Sequence, residues 1–275
     1  MTSPDDYARE RATLVRDDWQ YARIFSAPEA RAGFTALLCL RGEMEDIKAT
    51  VSESAVAQAR FEWWRQEISR AFANQAQHPL AKALGEHLGA AGSAPEYCHE
   101  LIDAAEAEYE REPPRNAQEL QLYLYRSAGV LAEQLAWLHG RHDRDTLSVA
   151  HHVGQSWRLV DLMLSLPAML RANAWMFPWE WKQELALDVA QLPNDTAMAE
   201  RLVAKLFETL DNERVHTRTA MENVELPPAL RLMWTLAERD YRRLRKLPAQ
   251  RLLTQASRDN PLARLWAAWR AARKR

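Results

Sequence analysis

Glycine, cysteine and clustered β-branched residues are what this chain is short of. Only 8 glycines stand among 275 residues, and they form neither a phosphate-cradling loop nor a nucleophile elbow. Val, Ile and Thr never gather into runs, so the material of β-strands is missing. The two cysteines, Cys39 and Cys98, exclude a disulfide framework and a paired-cysteine metal site, and they suit a reducing compartment. Cys39 lies in an apolar run and reads as core. No apolar run reaches the roughly 18–20 residues that a membrane-spanning helix needs. The segment Met1–Arg11 is polar and charged, unlike a signal peptide. These absences lead to the expectation of a cytoplasmic protein, peripheral to the inner membrane where it meets one.

What is present is helix-forming material. Long stretches are rich in Ala, Leu, Glu, Arg and Gln, and hydrophobic residues make up 47% of the chain, too many for disorder. The fold class expected is all-α. Proline and capping residues mark the helix boundaries. A first helix is expected over Asp5–Phe25 and a second from Pro28 to about Thr50. Further helices start at Ser52, at His78-Pro79 and at Glu96, the last of these running to Glu110. Pro113-Pro114 breaks the chain, and Asn116 caps a helix reaching His139. Thr146–Arg171 is the most apolar helix, and Pro167 should kink or end it. Asn173–Trp181 reads as an aromatic loop or short helix. Pro193-Asn194-Asp195 caps a helix to about Asn223, Pro227-Pro228 opens one to about Lys246, and Pro261 opens the last. The Pro113-Pro114 break is too tight for a linker and no repeat is visible, so residues 1–275 read as one domain.

Charge is distributed unevenly. The net charge is −2, yet Ala229–Arg275 holds 13 basic residues against three acids. A basic end on an acidic body suggests contact with an anionic surface, set against the plainer alternative of a solvated helix face. Within 261–275, Leu262, Leu265, Trp266 and Trp269 form one apolar stripe, with Arg264, Arg270, Arg273, Lys274 and Arg275 around it. Such a helix lies in a bilayer interface or docks on the protein's own body. Nothing in the pattern calls for nucleic acid.

Two constellations carry possible chemistry. Carboxylates at i and i+4 share a helix face and can hold a hard cation together. Glu45 and Asp46 stand in one helical run and Asp161 in another, but the position four after Glu45 is Ala49 and the position four after Asp161 is Ser165. The second constellation is Glu-x-x-His, found at Glu96/His99 and Glu213/His216, which a di-iron bundle uses twice. In a helical chain with 38 acids such matches arise easily by chance. His139, His142, His151 and His152 read as isolated solvated histidines. Tyr123 and Tyr125 line a cavity or belong to the core. Of the tryptophans, most read as packing residues, while Trp175, Trp179 and Trp181 cluster around a loop.

The run Leu122–Leu138, with Tyr123-Leu-Tyr125 followed by Ala128-Gly129, resembles the Tyr-x-Tyr-x-x-Ala-Gly helix of the squalene/phytoene synthase family. Gly154–Asp161, followed by Trp175-Met-Phe-Pro178, is similar to that family's second Asp-rich helix and the loop after it. Phe61–Ile68 resembles its Trp-Arg stretch. Tyr241–Leu244 and Leu265–Ala272 resemble the tail of a bacterial and mitochondrial branch, which in eukaryotes includes a complex I assembly factor. The resemblance implies an all-α isoprenoid-synthase fold with a central cavity. It also implies Mg²⁺-dependent head-to-head joining of two prenyl diphosphates, with Glu45, Asp46 and Asp161 as metal ligands and Tyr123, Tyr125, Gly129 and Arg171 at the substrate. The departures are the missing acids at Ala49, Ser165 and Met169, the reduction of the diphosphate-clamping stretch to Arg171, and Pro167 where the family tolerates Gly. They favour a non-catalytic assembly or lipid-binding factor with no cofactor, its partners a prenyl lipid or diphosphate, an anionic membrane and a protein under assembly. A working Mg²⁺-dependent prenyltransferase is the alternative.

Overall fold

The computed structural model describes residues 3–12 and 18–273, and no strand occurs among the described residues. The helices are α1 (Pro4–Ala12), α2 (Trp19–Phe25), α3 (Pro28–Thr50), α4 (Ser54–Phe72), α5 (Pro79–Ala90), α6 (Pro95–Glu110) and α7 (Ala117–Leu124). A π-helical turn, Tyr125–Gly129, leads into α8 (Val130–Leu138). Then follow α9 (Arg144–Arg171), α10 (Glu180–Glu184), α11 (Thr196–Met221), α12 (Pro228–Leu244), α13 (Ala249–Gln255) and α14 (Pro261–Arg273). Of the helix expected over Asp5–Phe25, residues 13–17 lie outside the described residues, as do residues 274–275 of the C-terminal segment.

Local chemistry explains the boundaries. Proline opens α3, α5, α6 and α12, where its missing N–H costs nothing. Asn116, Asp143 and Asp195 cap α7, α9 and α11, each side-chain oxygen accepting from a backbone N–H at 2.8–3.0 Å. Asn74, Arg111 and Asn173 adopt positive φ just after α4, α6 and α9, and the following N–H turns back to close each helix.

Two expectations need correction, and one element was missed. Of the two outcomes expected at Pro167, a kink or an end, the end does not occur: α9 runs on for another turn with Pro167 buried in it. Packing of α9 against α8, α11, α12 and α13 overrides the local penalty. The helix expected from Asn116 to His139 is split by the π turn, where α9 crosses. At that crossing a Cβ on Gly154 would stand 2.4 Å from the Ala128 carbonyl oxygen and 2.8 Å from the Gly129 Cα. Lastly, α13 went unanticipated. It spans seven residues and buries only Leu252 and Leu253, too short a segment for periodicity to register.

Two helices sit at the centre. α3 is buried almost all round from Phe34 to Leu40 and packs on α1, α5, α6 and α8. α9 buries Val153, Trp157, Met163 and Leu166 and packs on α8, α11, α12, α13 and the π turn. A helix apolar on every side belongs inside a bundle. Cys39 and Cys98 are both free and buried, and burial pushes each thiol up to about 12. They are packing residues, as expected for Cys39.

Candidate functional site

A cleft of about 610 Å³ opens between the C-terminal halves of α3 and α9. α3 contributes Arg41, Glu45, Lys48 and Ala49 to it; α9 contributes Arg158, Asp161, Leu162, Ser165 and Met169. Glu108 from α6 and Tyr123 from α7 form its floor, and Ala174 and Met176 lie on the segment after α9. Helical spacing aligns these residues: Glu45, Lys48 and Ala49 recur on one face of α3, and Arg158, Asp161, Ser165 and Met169 on one face of α9.

The polar residues form one continuous chain of alternating charge. Lys48 Nζ donates to Glu45 at 2.9 Å and also to Glu108. Glu108 Oε1 accepts from Tyr123 Oη at 2.7 Å and from Arg158 Nη2 at 2.5 Å. Arg158 Nη1 donates to Asp161 Oδ2 at 2.6 Å, and Arg258 reaches the other oxygen of Asp161. Arg258 also donates to Asp18 at 2.8 Å. Asp18 accepts from Trp157 Nε1 at 3.0 Å and from Arg264, whose Nη1 donates to Asp240 at 2.6 Å. The chain thus leads from the cleft through Asp18 to α14.

Electrostatics follow from the geometry. Burial alone would raise the Glu108 carboxyl, but Lys48 and Arg158 beside it hold it down at about 2. Burial disfavours charged Lys48, yet Glu108 and Glu45 outweigh it and raise the ammonium above its ordinary value. Asp18 is held below the usual carboxylate range because Arg258 and Arg264 overcome its burial. Burial and the neighbouring Glu108 keep the Tyr123 phenol protonated far above its ordinary range, against the pull of Arg158.

Of the residues singled out from the sequence, Glu45, Asp161 and Tyr123 meet in this cleft, with Ala49, Ser165 and Met169 beside them. Asp46 lies elsewhere on α3, in a separate hollow with Trp63, Trp64 and His78. Tyr125 faces away: its ring stacks on His151 at 4.9 Å and its hydroxyl donates to Glu133 at 3.3 Å. Gly129 and Ala128 sit at the helix crossing with Gly154, where a second helix approaches their backbone. Arg171 is exposed in the last turn of α9 and does not line the cleft. Trp175 and Trp181 are buried around Phe177, whereas Trp179 is exposed under Lys182, 3.9 Å from its ring centre.

The histidines are not isolated. His151 and His152 pair with Glu133 at 3.3 Å and Glu213 at 2.8 Å, His139 accepts from the Ala27 N–H, and His142 packs on Trp137. The di-iron reading fails on the same contacts. Glu213 meets His152 rather than a second Glu-x-x-His, and His99 bonds to Ser69 and the Arg65 carbonyl.

The residues do not fit a metal cluster. Among the described residues no three His, Cys, Asp or Glu side chains come together to hold an ion. Each carboxylate of the cleft is already engaged by a cation of the protein: Glu45 by Lys48, Glu108 by Lys48 and Arg158, Asp161 by Arg158 and Arg258. What remains is a charge-balanced polar floor beneath apolar walls of Ala49, Leu162, Met169, Ala174 and Met176. Lys48, Glu108, Arg158 and Arg258 were not singled out from the sequence as site residues. One local signal was available for Arg158, which stands three residues before Asp161 on the same helix face.

A family profile for squalene/phytoene synthase matches residues 16–266. The fold is similar to that of squalene synthase HpnC from Alicyclobacillus acidocaldarius, with a TM-score of 0.78 at 16% identity over 88% of this chain and 93% of that one. It is also similar to a dehydrosqualene synthase in complex with ligand, with a TM-score of 0.76 at 11% identity over 98% of this chain and 95% of that one. Among curated proteins, assembly factor 6 of NADH dehydrogenase (ubiquinone) complex I matches over 140 residues, at 24% identity in Bos taurus and 21% in Homo sapiens. That match takes in 50% of this chain and 42% of each relative, so the chain spans less than half the length of the curated relatives it matches.

Proposed function

The chain belongs to the squalene/phytoene synthase family, and on that premise we propose that it is a non-catalytic member, one squalene/phytoene synthase-like unit acting as a lipid-binding or assembly factor. One observation carries this reading: protein cations stand where paired carboxylates would need metal ions. A Mg²⁺ cluster binds through carboxylate oxygens free of other partners and offsets the charge of a leaving diphosphate. Here Lys48, Arg158 and Arg258 already neutralise Glu45, Glu108 and Asp161. A cation entering the cleft would have to displace an ion pair at each carboxylate. The apolar walls remain suited to a prenyl or other hydrocarbon chain. The distant likeness to a complex I assembly factor supports a protein partner under assembly.

The test is incubation of the purified chain with farnesyl or geranylgeranyl diphosphate and Mg²⁺. No condensed product above a no-protein control is expected. A variant carrying Lys48→Ala, Ala49→Asp, Ser165→Asp and Met169→Asp restores free carboxylates, and calorimetry should then show Mg²⁺-dependent diphosphate binding absent from the parent. Product from the parent would overturn the reading in favour of a working prenyltransferase.

A further inference from the structure

The C-terminal helix presents its apolar stripe to solvent. Leu262, Leu265, Trp266 and Trp269 are 76%, 41%, 56% and 41% exposed. The opposite face of α14 is the docked one: Ala268 and Ala271 are buried against the bundle, and Arg264 is buried in its pairs with Asp18 and Asp240. α14 packs on α12 and α2 through that Ala/Arg face. Exposed Trp and Leu at helical spacing have an energetic reason to be buried by something else.

The surroundings of the stripe are cationic. The guanidinium groups of Arg270 and Arg273 lie over the Trp266 and Trp269 rings, 4.6 and 4.2 Å from their centres. Beside Trp266 runs a groove of about 630 Å³ between α12 and α14, into which Arg218, Arg239, Arg242 and Arg270 project along with Trp234. Its single acid, Glu238, is already held by Arg214 at 2.6 Å and Arg218 at 2.8 Å. Arg239 is paired to Asp259, while Arg242 is 72% exposed and 3.6 Å from Glu238. A surface of aromatic and aliphatic anchors ringed by arginine matches the interface of an anionic bilayer, with hydrocarbon at one depth and phosphate at the next. A second copy of this chain fits less well, because two such faces would set arginine against arginine.

We propose that the outer face of α14, with the arginine groove beside it, docks the protein on a membrane containing anionic phospholipid. Indole and leucine side chains enter the interface, and Arg242, Arg270 and Arg273 meet lipid phosphates. This surface stands apart from the cleft, so it holds whether or not the cleft is catalytic.

The experiment is co-sedimentation of the full chain with vesicles of phosphatidylcholine alone or mixed with phosphatidylglycerol. Binding is expected to the mixed vesicles at low salt, with blue-shifted tryptophan emission, and should fall as salt screens the attraction. Arg242→Glu/Arg270→Glu should weaken it by roughly tenfold or more. Trp266→Ala/Trp269→Ala should abolish the emission shift and weaken binding similarly. Circular dichroism melts matching the parent's would show that both variants fold. The proposal is overturned if the parent ignores mixed vesicles or binds both kinds equally. It is also overturned if both variants bind as the parent does, or if the tryptophan pair instead disrupts a dimer of a chain that binds no vesicles.

Discussion

Lys48 stands one residue before the position where a second acid would pair with Glu45, and its ammonium ties Glu45 to Glu108. Glu108 is therefore the residue on which two cations depend. Glu108→Gln leaves Lys48 and Arg158 each with one fewer counter-charge. A fully buried pair broken in this way costs about 3–5 kcal/mol. Glu108 is 17% exposed at the cleft, so a smaller cost of roughly 2–3 kcal/mol is expected from denaturant unfolding at neutral pH. The pH dependence has a definite sign. The carboxyl falls from its ordinary 4.5 to about 2 on folding, so its stabilisation is complete above pH 4.5 and is lost as pH drops towards 2. The gap between parent and variant should close across that window. A gap that stays constant would mean Glu108 is not ionised in the fold. Glu45 and Asp161 were legible in the sequence because helical register is a local property. Their cations were not. Lys48 finds Glu108 across 60 positions and Arg258 finds Asp161 across 97, pairings that only tertiary packing creates.

At the scale of elements, α9 crosses the π turn with no room for a side chain at Gly154. Replacing Gly by Ala inside a helix normally stabilises by about 1 kcal/mol. Gly154→Ala should do the opposite, because its Cβ would stand 2.4 Å from a backbone carbonyl oxygen that cannot rotate away. Forcing the helices apart should cost roughly 1–3 kcal/mol net of that propensity. A variant melting at or above the parent would show that the crossing is looser. Gly129→Leu would set its new Cβ 3.0 Å from Tyr125 Cδ2, and should destabilise as well. Most boundaries were readable from proline, from Asn116 and from the run Pro193-Asn194-Asp195, since capping chemistry is local. The π turn was not, because it answers to a neighbour about 25 residues away in sequence rather than to its own residues. Pro167 does not stop α9 for the same reason: its local penalty was outweighed by the helices packed around it.

Across the whole molecule, one line of charge joins the cleft to the C-terminal helix, from Asp161 through Arg258, Asp18 and Arg264 to Asp240. The helix that presents its tryptophans outward is thus held from within by a buried guanidinium, Arg264, only 3% exposed. Residues 261–275 are therefore more than an appendage. Their deletion would leave Asp18 and Asp240 buried with one cation fewer each. Arg264→Met isolates the effect, keeping the length of the side chain and the apolar face of α14 while removing the charge. It should destabilise by about 3 kcal/mol, below the upper end for a broken buried pair because Arg258 and Arg243 still face the two acids. The sign with pH again discriminates. In the parent Asp18 sits below its ordinary 3.8, so its stabilisation is present above that value and lost as pH falls below it. Without Arg264 that carboxyl should rise, and the difference between parent and variant should shrink as Asp18 takes up its proton. Urea unfolding at neutral pH and near pH 3 measures both. Stability matching the parent's at neutral pH would mean that α14 is held by its alanine face alone, with the buried charge line contributing nothing to its attachment.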